Sequence, residues 1–103
     1  MTYEHTAEEM KAKALEYGVP AHCIEGLVAH VMTGREVGGF LTAVLSNDLM
    51  GAMDTADITN RQALHAYAVF LYNVAPRGAY GSRENVKDWR LSGGLDGIER
   101  DAA

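Results

Sequence analysis

The chain has 103 residues, 48% hydrophobic and 22% charged, a length for one domain and a composition that excludes intrinsic disorder. Asp and Glu outnumber Lys and Arg by 14 to 9, a formal net charge of −5, so no long-range pull toward a phosphate backbone is expected. Cys23 is the single cysteine, which excludes an intramolecular disulfide.

Capping and turn residues divide the sequence into helices. Thr6 with Glu9 forms a Thr-x-x-Glu capping box, and the segment it opens runs to about Tyr17, with Met10, Ala14 and Tyr17 on one side and Gly18 as its stop. Pro20 suits the first position of the next helix, which carries Ile24, Leu27, Val28, Val31 and Met32 at helical spacing and ends at Gly34. Residues 40–45, Phe-Leu-Thr-Ala-Val-Leu, are open to a strand reading. Helix is preferred because Phe40, Leu41, Val44 and Leu45 recur at helical intervals and no partner strand is apparent. Ser46 or Asn47 is expected to cap a short helix holding Leu49, Met50 and Met53.

The longest segment spans 59–75, opened by Asp57 or Thr59 and closed before Pro76. Leu64, Tyr67, Ala68, Leu71 and Ala75 form one face, widened by Ala63, Phe70 and Val74, so this helix is expected at the centre. Ser82 caps a last helix with Val86 and Trp89, ending near Gly93-Gly94. The expected fold is all-α: a compact bundle of about five helices around residues 59–75, one domain over 1–94, and a flexible tail at 95–103.

Chemistry is sparse. Cys23 and His30 lie seven residues apart, about 10.5 Å along a helix, too far for the i, i+3 or i, i+4 spacing of a shared metal; no metal or other cofactor is expected. No Gly-x-Ser-x-Gly occurs, and Gly34 to Gly39 lacks the Lys-Ser/Thr ending of a phosphate loop. A helix-turn-helix over 20–47 would need a basic recognition helix, yet residues 40–50 contain no Lys or Arg, so a nucleic-acid partner is not expected.

One loop stands out. Arg77, Gly78, Tyr80, Gly81, Ser82 and Arg83 lead into a helix N-terminus, where unpaired N–H groups and the macrodipole favour an anion. Two cations and a flat ring make this the candidate site for a nucleotide or other anion. The structural alternative is a connecting loop in which glycines turn, Ser82 caps and Tyr80 anchors on the core. Met10, Met32, Met50 and Met53, with Trp89 and five tyrosines, pose a similar choice between core filling and an adaptable partner surface. The apolar set is generous for one small monomer, which raises a homodimer or partner groove.

Residues 39–49, Gly-Phe-Leu-Thr-Ala-Val-Leu-Ser-Asn-Asp-Leu, followed by Ala56-Asp57, Asn60, Leu64, Phe70-Leu71-Tyr72-Asn73, Ala75-Pro76, Tyr80-Gly81-Ser82 and Trp89, resemble a group of small accessory proteins of tailed bacteriophages and prophages. The resemblance spans roughly residues 18–90 and brings no activity to carry over. Similar sequences place an aromatic before Gly-Ser ahead of the last helix, here Tyr80. Arg77-Gly78 has no counterpart in it, so the arginine part of the anion reading rests on this sequence alone. The resemblance implies a phage or prophage product that binds a bacterial or phage protein, modulating a host factor or defence, and does not imply an enzyme.

The opening Met1 to His5 lacks the pattern of a secretory leader, and no run reaches the roughly 20 apolar residues of a membrane helix. The expectation is a cytoplasmic protein with no membrane partner. Two functional readings stand: a non-enzymatic interaction protein, and a small-ligand module at 77–83.

Overall fold

In the computed structural model, which describes residues 5–102, the Thr6 hydroxyl accepts the Glu9 N–H at 3.2 Å and opens α1 (Ala7–Tyr17). The same hydroxyl donates to the Glu9 carboxylate at 3.1 Å, so the capping box forms as the spacing predicts. Gly18, at φ 99°, reverses the chain, and Val19 beyond it bonds back to the Ala14 carbonyl and is buried. Pro20 sits one residue ahead of α2 (Ala21–Thr33). Further elements are α3 (Gly39–Leu45), α4 (Leu49–Thr55), α5 (Ile58–Gln62), α6 (Leu64–Asn73), a 3-10 turn at Arg77–Ala79, α7 (Arg83–Ser92) and α8 (Gly94–Ala102). The fold is all-α, as the periodicity predicts, and residues 40–45 are helix. No described helix is long and apolar enough to cross a membrane.

Four expectations need correction. The helices among the described residues number eight rather than about five, because the segment expected over 59–75 divides in two and the expected tail forms a helix of its own. The segment expected as one helix over 59–75 is α5 and α6, offset at Ala63 (φ −104°, ψ 6°), whose N–H bonds to the Asn60 carbonyl three residues back. The interruption coincides with a buried polar contact: Asn60 turns inward and its Oδ1 accepts the Tyr67 hydroxyl at 2.6 Å. The cap of α4 is Asp48, whose carboxylate accepts the Gly51 N–H at 2.9 Å. Asn47 instead takes the left-handed turn position at φ 63°, a conformation its short polar side chain tolerates.

The fourth concerns residues 95–103. The segment through Ala102 is the helix α8, packed on α2 and α7, with Leu95 buried; Ala103 lies outside the described residues, as do residues 1–4. Two glycines allow this docking. A Cβ on Gly94 would stand 2.6 Å from the Gly34 nitrogen and 2.7 Å from the Met32 carbonyl carbon, and both glycines have positive φ. The start of α8 thus meets the end of α2 backbone to backbone, an approach closed to any other residue type.

α6 does lie at the centre: Tyr67 and Phe70 are fully buried, and Phe40 from α3 meets the Tyr67 ring edge-on at 5.4 Å. Met10 and Ala14 of α1 and Leu27, Val28 and Val31 of α2 complete the core with Val86 and Trp89 of α7. At the C-terminus of α2, Trp89 Nε1 donates to the His30 and Val31 carbonyls at 3.0 and 3.1 Å. His30 itself is wholly buried, and its Nε2 donates to the Ala79 carbonyl at 2.9 Å.

Trp89→Phe keeps most of the apolar contact and removes the donor, so it is expected to cost about 1–3 kcal/mol. Gly94→Ala, which strains φ and drives a methyl into backbone, is expected to cost at least about 1 kcal/mol. Urea titrations of both variants measure the losses; a Gly94→Ala protein as stable as wild type would show that α8 is not held against α2.

Candidate functional site

α6 is apolar on two sides. Ala66, Tyr67 and Phe70 face the core with Val74 beyond the helix end, whereas Leu64, Ala68, Leu71 and Tyr72 follow one another at i, i+4, i+7 and i+8 and line a groove of about 480 Å³, Leu71 being buried and part of the core as well. The face expected to be most buried is therefore divided: Tyr67 belongs to the core, while Ala68 is exposed and Leu64 half-buried. Leu49 and Ala52 of α4 form the opposite wall, and Val44, Asn47 and Asp48 close one end.

α4 adds to the apolar surface outside the groove. At roughly 100° per residue, its apolar arc runs from buried Ala52 and Ala56 through Leu49 and Met53 to Met50, and reaches Asp54 only beyond them. Leu49 is 60%, Met50 71% and Tyr72 78% exposed. Leu49 and Tyr72 line the groove, whereas Met50 lies outside it. Met10 fills the core and Met32 is half-buried, so the four methionines divide between interior and surface.

The six residues of the candidate anion loop take several places. Tyr80 and Gly81 line the groove, and the Gly81 N–H donates to the Leu45 carbonyl at 2.7 Å, tying the loop to α3. The Ser82 hydroxyl accepts the Asn85 N–H at 3.0 Å and caps α7. Arg83 donates to the Asp48 carboxylate at 3.0 Å, a carboxylate held beside the helix start. Gly78 lies against the Trp89 ring, where a Cβ would come within 3.2 Å of two ring carbons, and Arg77 is exposed on the 3-10 turn. The loop thus acts as a connecting strut whose Tyr80 end contributes to the groove.

A polar cluster lies at the start of α5. Asn60 accepts from Tyr67 and donates through Nδ2 to Cys23 Sγ at 3.5 Å. Burial first, then the hydrogen bond and charge of Cys23, push the Tyr67 phenol well above its ordinary value of 10.0. His22 Nε2 and Asp57 Oδ2 meet at 3.2 Å on the surface. The Cys23 thiol therefore faces an amide while the neighbouring imidazole faces a carboxylate, which is not the thiol–imidazole contact that activates a nucleophile. Among the described residues no group of three or more His, Cys, Asp or Glu is placed to hold a metal ion.

The chain matches no known protein family, no curated protein and no solved structure.

Asp57 is held below its ordinary value of 3.8 by the Asn60 N–H first, and by His22, against some desolvation. A depressed folded-state value gives stabilisation that is present above the unfolded value and is lost as pH falls through the folded one. Asp57→Asn keeps a capping oxygen and removes the charge. It is expected to lower the thermal midpoint at pH 7, with the gap to wild type closing as pH drops below 3.8; a gap unchanged at pH 3 would show that the charge contributes nothing. Tyr67→Phe is expected to cost about 1–3 kcal/mol by leaving the buried Asn60 oxygen without its donor, read by urea unfolding.

Proposed function

We propose that this protein is a non-enzymatic interaction module whose groove between α4 and α6 receives a protein partner in a bacterial cell, and that it is a phage or prophage accessory product. The observation that carries the binding reading is the apolar groove in which exposed Ala68 and Tyr72 and half-buried Leu64 of α6 stand across from exposed Leu49, with Met50 and Met53 exposed elsewhere on α4. These side chains gain by being covered, at roughly 25 cal/mol per Å² of apolar surface removed from water. The phage setting rests on the sequence resemblance alone, and a cytoplasmic location goes with that setting. A homodimer is the special case in which the partner is a second copy.

The alternative is a small-ligand module holding a nucleotide or other anion at Arg77 to Arg83. Exposed Arg77 favours it, whereas Arg83 is already paired with Asp48, and Ser82 already accepts a first-turn N–H of α7.

Affinity capture from bacterial lysate with wild type, Ala68→Trp and Arg77→Ala/Arg83→Ala separates the two readings. Ala68 is exposed and lines the groove, so a tryptophan there is expected to fill the groove and leave the core intact. A partner retained by the arginine variant and lost by Ala68→Trp is the expected result, followed by titration of the purified pair. Thermal shifts with a nucleotide panel give the complementary test. A ligand at 100 times its Kd stabilises by about 2.7 kcal/mol, and a shift abolished by the arginine variant would favour the loop instead.

A further inference from the structure

We infer that His30 is a pH-sensitive latch on the loop at residues 79–81: its neutral ring holds the loop closed, and uptake of a second ring proton releases it. His30 is wholly buried, and its Nε2 lies 2.9 Å from the Ala79 carbonyl oxygen. A carbonyl only accepts, so Nε2 carries the one proton of the neutral ring and Nδ1 is left with a lone pair. No hydrogen-bond partner reaches Nδ1. The closed arrangement therefore fits a single protonation state. A second proton would put a charged N–H at Nδ1, inside the core and without an acceptor, where an unpaired charge is heavily penalised.

No carboxylate stands by to take that charge. α2 packs against α1 and α8, meets α3 at Gly26, and is bonded near His30 to the 3-10 turn and α7. On the turn and α7, Arg77, Arg83, Glu84, Lys87, Asp88 and Arg90 are all exposed. On α8, Asp96, Arg100 and Asp101 are exposed and Glu99 is half-buried. On α1, Glu8, Glu9, Lys13 and Glu16 are exposed, with Lys11 and Tyr17 half-buried. α3 carries no titratable residue, and on α2 itself His22 and Glu25 are exposed. Tyr67 is the other buried titratable side chain among the described residues, and its hydroxyl is committed to Asn60. The charge is relieved when the ring reaches water, and a ring turned outward no longer holds Ala79. The loop then keeps the bond from the Gly81 N–H to Leu45 and that from the Asn85 amide to the Tyr80 carbonyl, but its Ala79 end is let go. Because Tyr80 lines the groove, the latch puts that wall under pH control, a consequence that rests on the groove being the binding site.

The open state binds one more proton than the closed state. Closure is therefore favoured above the ordinary imidazole value of about 6.5 and loses ground as pH falls below it. For one such group the open population rises roughly tenfold between pH 7.5 and pH 5.5. Amide hydrogen exchange of the full chain reads this opening, each rate being divided by that amide's intrinsic rate at the same pH. The Ala79 and Gly81 amides are expected to lose about tenfold in protection in the wild type. No such loss is expected in His30→Gln, which keeps a neutral donor and takes up no proton. The Val19 amide, bonded to the Ala14 carbonyl beyond α1, is expected to stay unchanged in both. His5, His22 and His65 are present in both proteins, so the difference isolates His30. Constant protection in the wild type, an equal loss in His30→Gln, or an equal loss at Val19 would overturn the inference. If His30→Gln fails to fold, imidazole NMR of the wild type decides. His30 is expected to keep its Nε2–H tautomer down to pH 5.5 in the folded protein. A His30 that takes its second proton while Gly81 stays protected would overturn the latch. None of these readings depends on what the groove binds, so the groove reading stands or falls separately.

Discussion

The last turn of α2 ends against the protein interior, with His30, Val31 and Gly34 buried and Thr33 at the surface. A helix end must satisfy four backbone carbonyls, and each one left buried and unpaired is costly. Trp89 answers two of them with one indole N–H, and the Gly34 N–H also returns to the His30 carbonyl. The same turn carries a donor outward, since His30 Nε2 holds the Ala79 carbonyl. Helix α2, the 3-10 turn and α7 are thereby joined at one point by groups that have little alternative to one another.

The junction fixes what lies on either side of it. Toward the C-terminus, Gly34 and Gly94 let α8 start against the end of α2 without a side chain between them. Toward the groove, Ala79 is the last residue before Tyr80 and Gly81, and the Gly81 N–H secures the other end of this stretch to Leu45. Residues 79–81 are held at both ends, so Tyr80 stands as a fixed wall of the groove. Arg83 then links the start of α7 to Asp48, the residue that caps α4. Both sides of the groove are anchored to this one loop. That is a physical reason for its glycines and for Ser82 that requires no bound anion.

Much of this was legible in the sequence, because local chemistry determines it. Thr6 with Glu9, Gly18, Gly34 and Ser82 mark helix ends through bonds made within a few residues, and those bonds are present. The role of His30 was not legible, since its partner Ala79 is 49 residues away. The same holds for Asn60, a polar residue in an apolar segment whose pairing with Cys23 across 37 residues accompanies the offset at Ala63. The tail at 95–103 looked too polar to dock, and Gly94 reads locally as a stop signal. Only the backbone approach to Gly34 gives it the opposite meaning. In the candidate site, Tyr80 and Gly81 were identified for a different reason, and of Leu64, Ala68 and Leu71, all read as one buried face, only Leu71 is buried, while exposed Tyr72 was not placed on that face. A helical wheel shows how wide an apolar arc is, and cannot show how much of that arc the neighbours cover.

That unfilled arc explains why the groove coexists with a stable core. Tyr67, Phe70 and Val74 bury one side of α6 completely, and the tethered loop and the Asp48 cap hold the surrounding walls. On the opposite side Leu71 still joins the core, while Ala68 and Tyr72 stay exposed and add little to it. Covering Ala68 and Tyr72 with another of its own helices would have required α4 to pack closely on α6. Asp48 and the left-handed Asn47 instead turn the chain so that Leu49 and Ala52 of α4 stand across the groove from α6. A surface of this kind invites indiscriminate association unless something selects among apolar partners. Asp48, the carboxylate that lines the groove, is already held by Arg83, so the apolar side chains rather than a bare charge define that surface.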